Sequence, residues 1–438
     1  MIARLAALLT TATLLGCGSS TPLSSPSIPL AESPSDAAKC DAYTGPALSA
    51  LKFYEGSNHE HTSYSDGNPH YIPRDAFQIG RDAGYSWMAM SDHSDELDNG
   101  DYVTVHASCD PTQSNFDPTQ EDYCFLNATP DKLFKWQSTL TQAEATTTPD
   151  FLAIRGFEWT SDVFGHINVY FSQNFTNAKD DGGYALTMDT FYDWFTRDPS
   201  VPGLAGSASS PVPFGGGADG LATFNHPHDK CSLNGVPAPF VQGVCDWNDY
   251  TFIPAADERM FAIEAYNTDN RHDRYQPYII NALDKGWHLA FTGSEDDHFA
   301  HYASEIRPKT MTLATDVSEA AFREAWLARR VYALTPGQHL RAEVLADHQA
   351  PMGSRLSCDA AKGTVNLKVK MTERDGTPFA GAFHVFTNSG REIASAAGTE
   401  AQFELPVEQG VEHYYFVRVH GADGTSVAYL APVWITGR

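Results

Sequence analysis

Seventeen histidines are spread through this 438-residue chain, and several stand beside carboxylates where short apolar runs end. The densest group is His59-Glu60-His61, with Asp66 shortly after it. On a strand, residues i and i+2 share a face, so His59 and His61 can grip one metal ion while Glu60 points away; Asp66 follows in a turn that can reach back. Taken alone, H-x-H is better explained as two surface histidines near a turn. Four further runs repeat the arrangement. Trp87–Met90 ends in Ser91-Asp92-His93, and Phe151–Phe157 ends in Glu158, with His166 opening the next run. Leu221–Phe224 ends in Asn225-His226-Pro227, and His288–Thr292 leads into Gly293-Ser294-Glu295-Asp296-Asp297-His298. Each places a metal-capable side chain just past the C-terminal end of an apolar strand, where α/β barrels assemble active sites.

The elements that must hold these residues follow from hydrophobic period. Strand patterns over 87–91, 151–157, 167–171, 221–224, 260–266, 288–292 and 310–314 alternate with helical ones over 74–83, 133–145, 188–197, 278–285 and 319–329. Such alternation argues for a parallel sheet, open or closed into a barrel. Two stretches interrupt it: an acidic, turn-rich one at 95–131 and a Gly/Ser/Pro-rich one at 199–219. The second lacks a Gly-Lys-Ser/Thr ending and reads as a loop, not a phosphate-binding P-loop. After about residue 338 the helical period stops, and strands at 365–369, 382–386, 401–405, 414–419 and 427–435 read as a β-sandwich of about 100 residues. His339, His348, His384, His413 and His420 fall there and read as structural.

Composition narrows the partners. With 29 Lys and Arg against 55 Asp and Glu, the net charge is −26, which repels polyphosphate backbones and excludes nucleic acid as partner. A small anionic substrate stays compatible, because a metal cluster reverses the field inside a cleft. No apolar run of about 20 residues spans a bilayer. Arg4 and the short apolar stretch Leu5–Leu15 read as an export signal. Its end, Leu14-Leu15-Gly16-Cys17, resembles a bacterial lipobox. The resemblance implies removal of residues 1–16, lipidation of Cys17 and anchoring in the cell envelope, the outer membrane being favoured because Gly18 follows. Residues 17–48 are a Ser/Pro-rich tether. Six cysteines remain. They allow 15 connectivities, of which local pairing of Cys109 with Cys124 and Cys231 with Cys245, leaving Cys40 for Cys358, is the economical one.

The order of the histidine and carboxylate runs resembles the PHP (polymerase and histidinol phosphatase) superfamily of metal-dependent hydrolases. The details Gly156-Phe157-Glu158-Trp159-Thr160, Phe164-Gly165-His166-Ile167-Asn168-Val169, Ala282-Leu283-Asp284-Lys285-Gly286-Trp287 and Arg330-Val331-Tyr332-Ala333 are similar to its CehA/McbA-type branch. The resemblance implies an α/β fold, a PHP-type distorted (β/α)7 barrel over residues 49–337, followed by the all-β sandwich over 338–438. It implies one metal on His59, His61, Glu158 and Asp296, and a second sharing Glu158 with His166 and His226. A third would take Asp66, His93 and His298. Asp297 alternates away from the barrel axis, so Asp296 is the ligand of that pair.

Mixed imidazole and carboxylate ligands suit two or three Zn, Mn or Fe ions, and the loaded cleft carries net positive charge. The expected chemistry is exported, metal-dependent hydrolysis by a metal-bridging hydroxide, with phosphomono- or phosphodiesters ahead of carbamates and carboxyl esters. Glu158, His93 and His298 are the expected catalytic groups, either histidine assisting the leaving group. Lys230, His228, Arg271 and Arg274 are candidates to hold a substrate anion, with Arg155 and Arg307 as weaker ones. Asp92 is a candidate to orient His93, and Tyr64, Trp159 and Tyr266 are candidates to wall an ester pocket. A rival reading is a non-catalytic binding lipoprotein stabilised by metal, its sandwich engaging a glycan or a protein.

Overall fold

The computed structural model describes residues 39–97, 134–178, 187–203, 215–233, 236–237, 244–268 and 273–438. The expected export signal, the expected tether up to residue 38, Cys17, Cys109, Cys124 and Arg271 lie outside them.

Strand β1 (Lys52–Ser57) is followed by β2 (Trp87–Met90), β3 (Leu152–Ser161), β4 (Gly165–Tyr170) and β5 (Leu221–Phe224). A small ladder of β6 (Ser232–Leu233) and β7 (Val236–Pro237) stands apart from the next core strands, β8 (Met260–Asn267) and β9 (Ala290–Ser294). The sheet order is β1-β2-β3-β4-β5-β8-β9. All its steps are parallel except those made by β4, which runs against both β3 and β5. β2, β5, β8 and β9 are buried at every residue, which is why they read as largely apolar runs. The seven strands curl until their ends meet: Glu60 bridges Asp297 beyond β1 and β9, and a Cβ on Gly293 would lie 2.6 Å from the carbonyl oxygen of Lys309. The expected parallel barrel is therefore present in distorted form. The antiparallel β4 is the distortion, and a hairpin of only three residues between β3 and β4 explains why no helical period precedes His166.

Helices at Pro73–Asp82, Met188–Thr196, Gln276–Asp284 and Glu319–Leu327 cover the outer face. Their starts are encoded locally. Thr187 and Ser318 cap with their hydroxyls, and Pro73 opens its helix while the Asp75 carboxylate accepts the Ile72 N–H at 3.1 Å. Trp326 of the last helix stacks on Phe261 at 4.6 Å and meets Trp87 edge-on at 5.3 Å.

From β10 (Lys309–Ala314) and β11 (Val331–Leu334) the chain passes into β12 (Arg341–Ala346), β13 (Ala350–Pro351), β14 (Arg355–Cys358) and β15 (Thr364–Thr372). β16 (Gly381–Thr387), β17 (Arg391–Gly398), β18 (Glu400–Pro406), β19 (Glu412–His420) and β20 (Ser426–Gly437) complete it. β13-β12-β15-β18 form one sheet, and β17-β16-β19-β20 join the other. Their inner faces share a core that includes Val365, Leu367 and Val369 from one sheet and Val417, Val419 and Leu430 from the other. The second sheet does not stop at the expected boundary. β20 pairs with β11 through Ala333–Tyr429 and Leu334–Ala428, so the strand that ends the chain continues the barrel sheet. Cys40 and Cys358 form a disulfide, and Asp347 accepts both the Lys39 and Cys40 N–H groups at 2.9 Å.

A polar knot ties β1 to this C-terminal region. The buried Glu55 carboxylate meets His339 Nδ1 at 2.9 Å and Arg374 Nη2 at 2.9 Å, and His339 Nε2 reaches Glu305 at 2.9 Å. The bond to Glu55 raises the His339 pKa above its ordinary 6.5, against burial. Burial would raise the Glu55 pKa, but its bonds to His339 and Arg374 outweigh that and lower it. A raised histidine pKa gives stability that is full below 6.5 and lost as pH rises through the folded-state value. As pH rises above 6.5, wild type should therefore lose stability relative to His339→Gln, on the order of 1 kcal/mol, in thermal unfolding followed by circular dichroism. Parallel curves for the two proteins would refute it.

Candidate metal centre

The ligand-bearing segments are sewn to one another by backbone hydrogen bonds just beyond the strand ends. Asp296 N–H donates to His59 O at 2.9 Å, and His61 N–H donates to Asp297 O at 3.2 Å. Ser91 N–H donates to Glu60 O at 2.9 Å, Glu158 N–H to Asp92 O at 3.0 Å, and Asn225 N–H to His166 O at 3.1 Å. This belt turns five separate segments into one rim. Two of its members, Asp296 and His226, have positive φ of 48° and 26°, strain of the kind that collects at functional sites.

Inside the rim stands Glu158, fully buried. Its Oε1 lies 3.2 Å from His59 Nε2, 3.1 Å from His166 Nδ1 and 3.2 Å from His226 Nε2. Its Oε2 lies 2.8 Å from His93 Nδ1 and 3.7 Å from His61 Nε2. Asp296 Oδ1 lies 3.4 Å from His59 Nε2 and 3.2 Å from His61 Nε2, and those two imidazole nitrogens are 3.1 Å apart. On the open side, Asp66 Oδ1 sits 3.4 Å from His93 Nε2 and 3.2 Å from His298 Nε2. All nine expected ligands converge. They fall into overlapping groups whose donor atoms lie within 4.8 Å of one another: His59, His61 and Asp296; His59, Glu158 and His226; His93, Glu158 and His166; and His61, Asp66, His93 and His298.

Outer partners hold the rings in place. His59 Nδ1 is bonded to Glu264 at 2.8 Å, His93 Nδ1 to Thr160 Oγ1 at 2.9 Å and His61 Nδ1 to Ser65 Oγ at 3.4 Å, while His166 Nε2 is 3.5 Å from Asp162. For His59, His61 and His166 the opposite nitrogen is thereby left to face Glu158, as metal ligation requires, whereas His93 shares Nδ1 between Thr160 and Glu158 and turns Nε2 to Asp66. Glu264 does more, since its second oxygen accepts the His226 N–H at 2.6 Å and Asn267 Nδ2 at 3.0 Å. Asn225 Nδ2 donates to Glu158 at 2.8 Å. Neither role shows in the sequence pattern, although Glu264 stands on an apolar strand whose only other polar residue is Asn267.

The electrostatics fit a cation. Burial works against ionised Glu158 and Asp296, yet His166, His59 and His93 around the first, and His59 and His61 around the second, keep both pKa values well below the ordinary range. Burial, reinforced by His93 and His298, lowers His61 to about 3, so its lone pair is available. For His93 burial is overcome by Glu158 and Asp66, which raise it to about 10. The carboxylates demand positive charge. Protons on the rings satisfy that demand, and divalent ions that displace those protons would satisfy it better. Buried His226 Nδ1 has no hydrogen-bond partner.

No family model matches the chain, and no curated protein does. Among solved structures it is similar to a two-domain protein from Bacteroides vulgatus that contains a predicted PHP-like metal-dependent phosphoesterase. That likeness has 16% identity, covers 90% of this chain and 98% of the other, and has a TM-score of 0.40. A lytic polysaccharide monooxygenase from Jonesia denitrificans aligns at 16% identity over 19% of this chain and 57% of its own, with a TM-score of 0.14. Superpositions this loose transfer no activity.

The other expected residues divide. Lys230 Nζ lies 4.0 Å from Asp162, at the edge of the His166 side, and His228 is exposed, stacked on Tyr278 at 4.7 Å. Arg274 is ion-paired with Asp229. Arg155 stacks on Trp136 and Arg307 pairs with Asp297, so both are structural. Asp92 does not orient His93. It accepts from Thr62 N–H, Thr62 Oγ1 and Ser65 Oγ, bracing the turn that carries Asp66. Nor do the aromatics wall a pocket, because Tyr64, Trp159 and Tyr266 are fully buried. Tyr64 is bonded to Ser138, Tyr266 to Ser426, and Trp159 packs on Phe191.

Glu264→Gln removes the charge that fixes His59 while keeping the volume. It should weaken metal binding by about 10–100-fold in competition with a chromophoric chelator, with circular dichroism unchanged. Wild-type affinity in that variant would show that Glu264 only fills space.

Proposed function

We propose that this protein is a metal-dependent hydrolase of the PHP type, with phosphoesters as its favoured substrates. The observation that carries the reading is the convergence of five histidines on one buried carboxylate, Glu158, with Asp296, Asp66 and His298 in overlapping groups beside them. Glu158, His59 and His61 are fully buried, whereas Asp66 is 54% and His298 27% exposed. Substrate therefore approaches over Asp66 and His298. Divalent ions held by these ligands would supply Lewis-acid polarisation and an activated water.

The chain's own groups do the rest. Glu158 and Asp296 would offset the charge of cations held beside them, and the outer contacts from Glu264, Thr160 and Asp162 orient the histidine rings. His298 lies at the open edge with Nε2 on Asp66, where it can hand a proton to a leaving group. Two features favour phosphate over carbamate or carboxyl ester. Adjacent cations match the charge that a phosphoryl transition state spreads over several oxygens. The aromatic lining that an apolar ester would call for is absent among the described residues expected to form it, while Lys230 stands at the edge.

Metal-replete wild-type protein should hold two or three transition-metal ions per chain. Glu158→Gln should lose metal and lower kcat/KM by about 10²–10³-fold. Steady-state kinetics on p-nitrophenyl phosphate, bis-p-nitrophenyl phosphate and 1-naphthyl N-methylcarbamate separate the substrate classes. A carbamate kcat/KM above both phosphates by more than about tenfold, roughly 1.4 kcal/mol of transition-state stabilisation, would overturn the phosphoesterase reading. Metal binding with no turnover of any of the three would favour the binding lipoprotein.

A further inference from the structure

The segment from Cys231 to Tyr250 carries two features that the metal centre does not by itself explain. Cys231 and Cys245 form a disulfide, and the five residues from Asp246 to Tyr250 all take left-handed backbone angles, with φ between 51° and 57°. Such a run is costly for residues with a Cβ and persists only where the surroundings hold it.

What the turn delivers is Trp247, 1% exposed. Its backbone N–H donates to Phe164 O at 2.7 Å, and its ring packs at a tilt against Phe224, 4.5 Å between centroids. Its indole lies so close to Gly165 that a Cβ there would stand 2.7 Å from Cε2. Gly165, at φ 117°, immediately precedes His166, and Phe224 is two residues before His226. One side chain thus wedges the two segments that bring His166 and His226 to Glu158 Oε1. The other end of the disulfide leads back to the same place: Cys231 follows the strained His226-Pro227-His228 turn, and His228 Nδ1 is held by Asp246 at 3.1 Å.

We propose that the Cys231–Cys245 disulfide is a positioning element of the metal centre. It locks the 245–250 turn so that Trp247 clamps His166 and His226 around Glu158, and it makes retention of the metal they share depend on the oxidised state. The inference rests on the reading that the cluster binds metal. Opening the disulfide takes two electrons and two protons from a dithiol, which is itself oxidised to a disulfide, and leaves two thiols with the turn no longer anchored.

The test follows the loss of zinc from zinc-loaded full-length protein to a chromophoric chelator. Wild type is compared with Cys231→Ser/Cys245→Ser, Cys40→Ser/Cys358→Ser, Trp247→Ala and Trp247→Phe. The Cys231/Cys245 double variant and Trp247→Ala should release one equivalent at least about tenfold faster than wild type. The Cys40/Cys358 variant and Trp247→Phe should release it at the wild-type rate. Wild-type retention in the Cys231/Cys245 variant, or equally fast release from the Cys40/Cys358 variant, overturns the proposal. Should the first variant not fold, Trp247→Ala decides with all cysteines intact, and unchanged release overturns it. Wild-type protein that binds no zinc would overturn the metal-centre reading itself, and this one with it.

Discussion

A carboxylate with no access to water is stable only where positive charge or hydrogen-bond donors surround it, and Glu158 imposes that condition on the whole barrel. Four histidines come within 3.2 Å of its oxygens, each from a different segment, and Asn225 supplies a neutral donor. Those side chains arrive only because the strands feeding them stop at one level. The antiparallel β4 follows from the same need. Turning back after three residues, it places His166 beside the strand that carries Glu158, which a full helical crossover would not do.

The second level of control is the belt of main-chain hydrogen bonds past the strand ends. Side-chain ligands on independent loops would drift by more than a metal site tolerates, whereas here each ligand segment is tied to the next by its backbone. The charges beneath the rim obey the same geometry. Glu60, Glu295 and Asp297 alternate with the ligands and point the other way, into a buried layer with Tyr85, Arg307 and Lys309. Burial and its acidic neighbours Glu295 and Asp297 hold Glu60 well above the usual carboxylate range. The layer accounts for an acidic residue between His59 and His61, where an apolar one would have been simpler.

Much of this was legible in the amino-acid order, because a strand alternates and its end can be seen. Apolar runs closing in His, Asp or Glu pointed to several of the candidates, the resemblance to the PHP superfamily supplied the full ligand set, and alternation favoured Asp296 over Asp297 within it. The same rule, applied to Trp159 and Asp92, would have shown that they flank ligands and so face elsewhere. Glu264 closes a strand that could line the site, but its role could not be assigned from the sequence for a different reason: whether a polar residue on a buried strand serves the centre depends on the register between β5, β8 and β9. The pairing of β20 with β11 was equally hidden, since contact between strands nearly 100 residues apart leaves no local trace. The texture change near residue 338 marks the end of the helices, not the end of the sheet.

The fastening of the N-terminal segment has a mechanical side. Lys39 and Cys40 are gripped by Asp347, Cys40 is bonded to Cys358, and Asp41 pairs with Arg438 at the far end of the chain. A pull on the residues before Lys39 is therefore taken up by β14 and, through its parallel pairing, by β20. The stretch from Ala42 to Leu51 follows that anchor, with Tyr43 packed on the core and a short helical turn at Leu48–Ala50. β1, which leads directly into His59 and His61, lies beyond a covalent strain relief, so a load applied ahead of Lys39 would bypass the segment that sets the spacing of those two histidines.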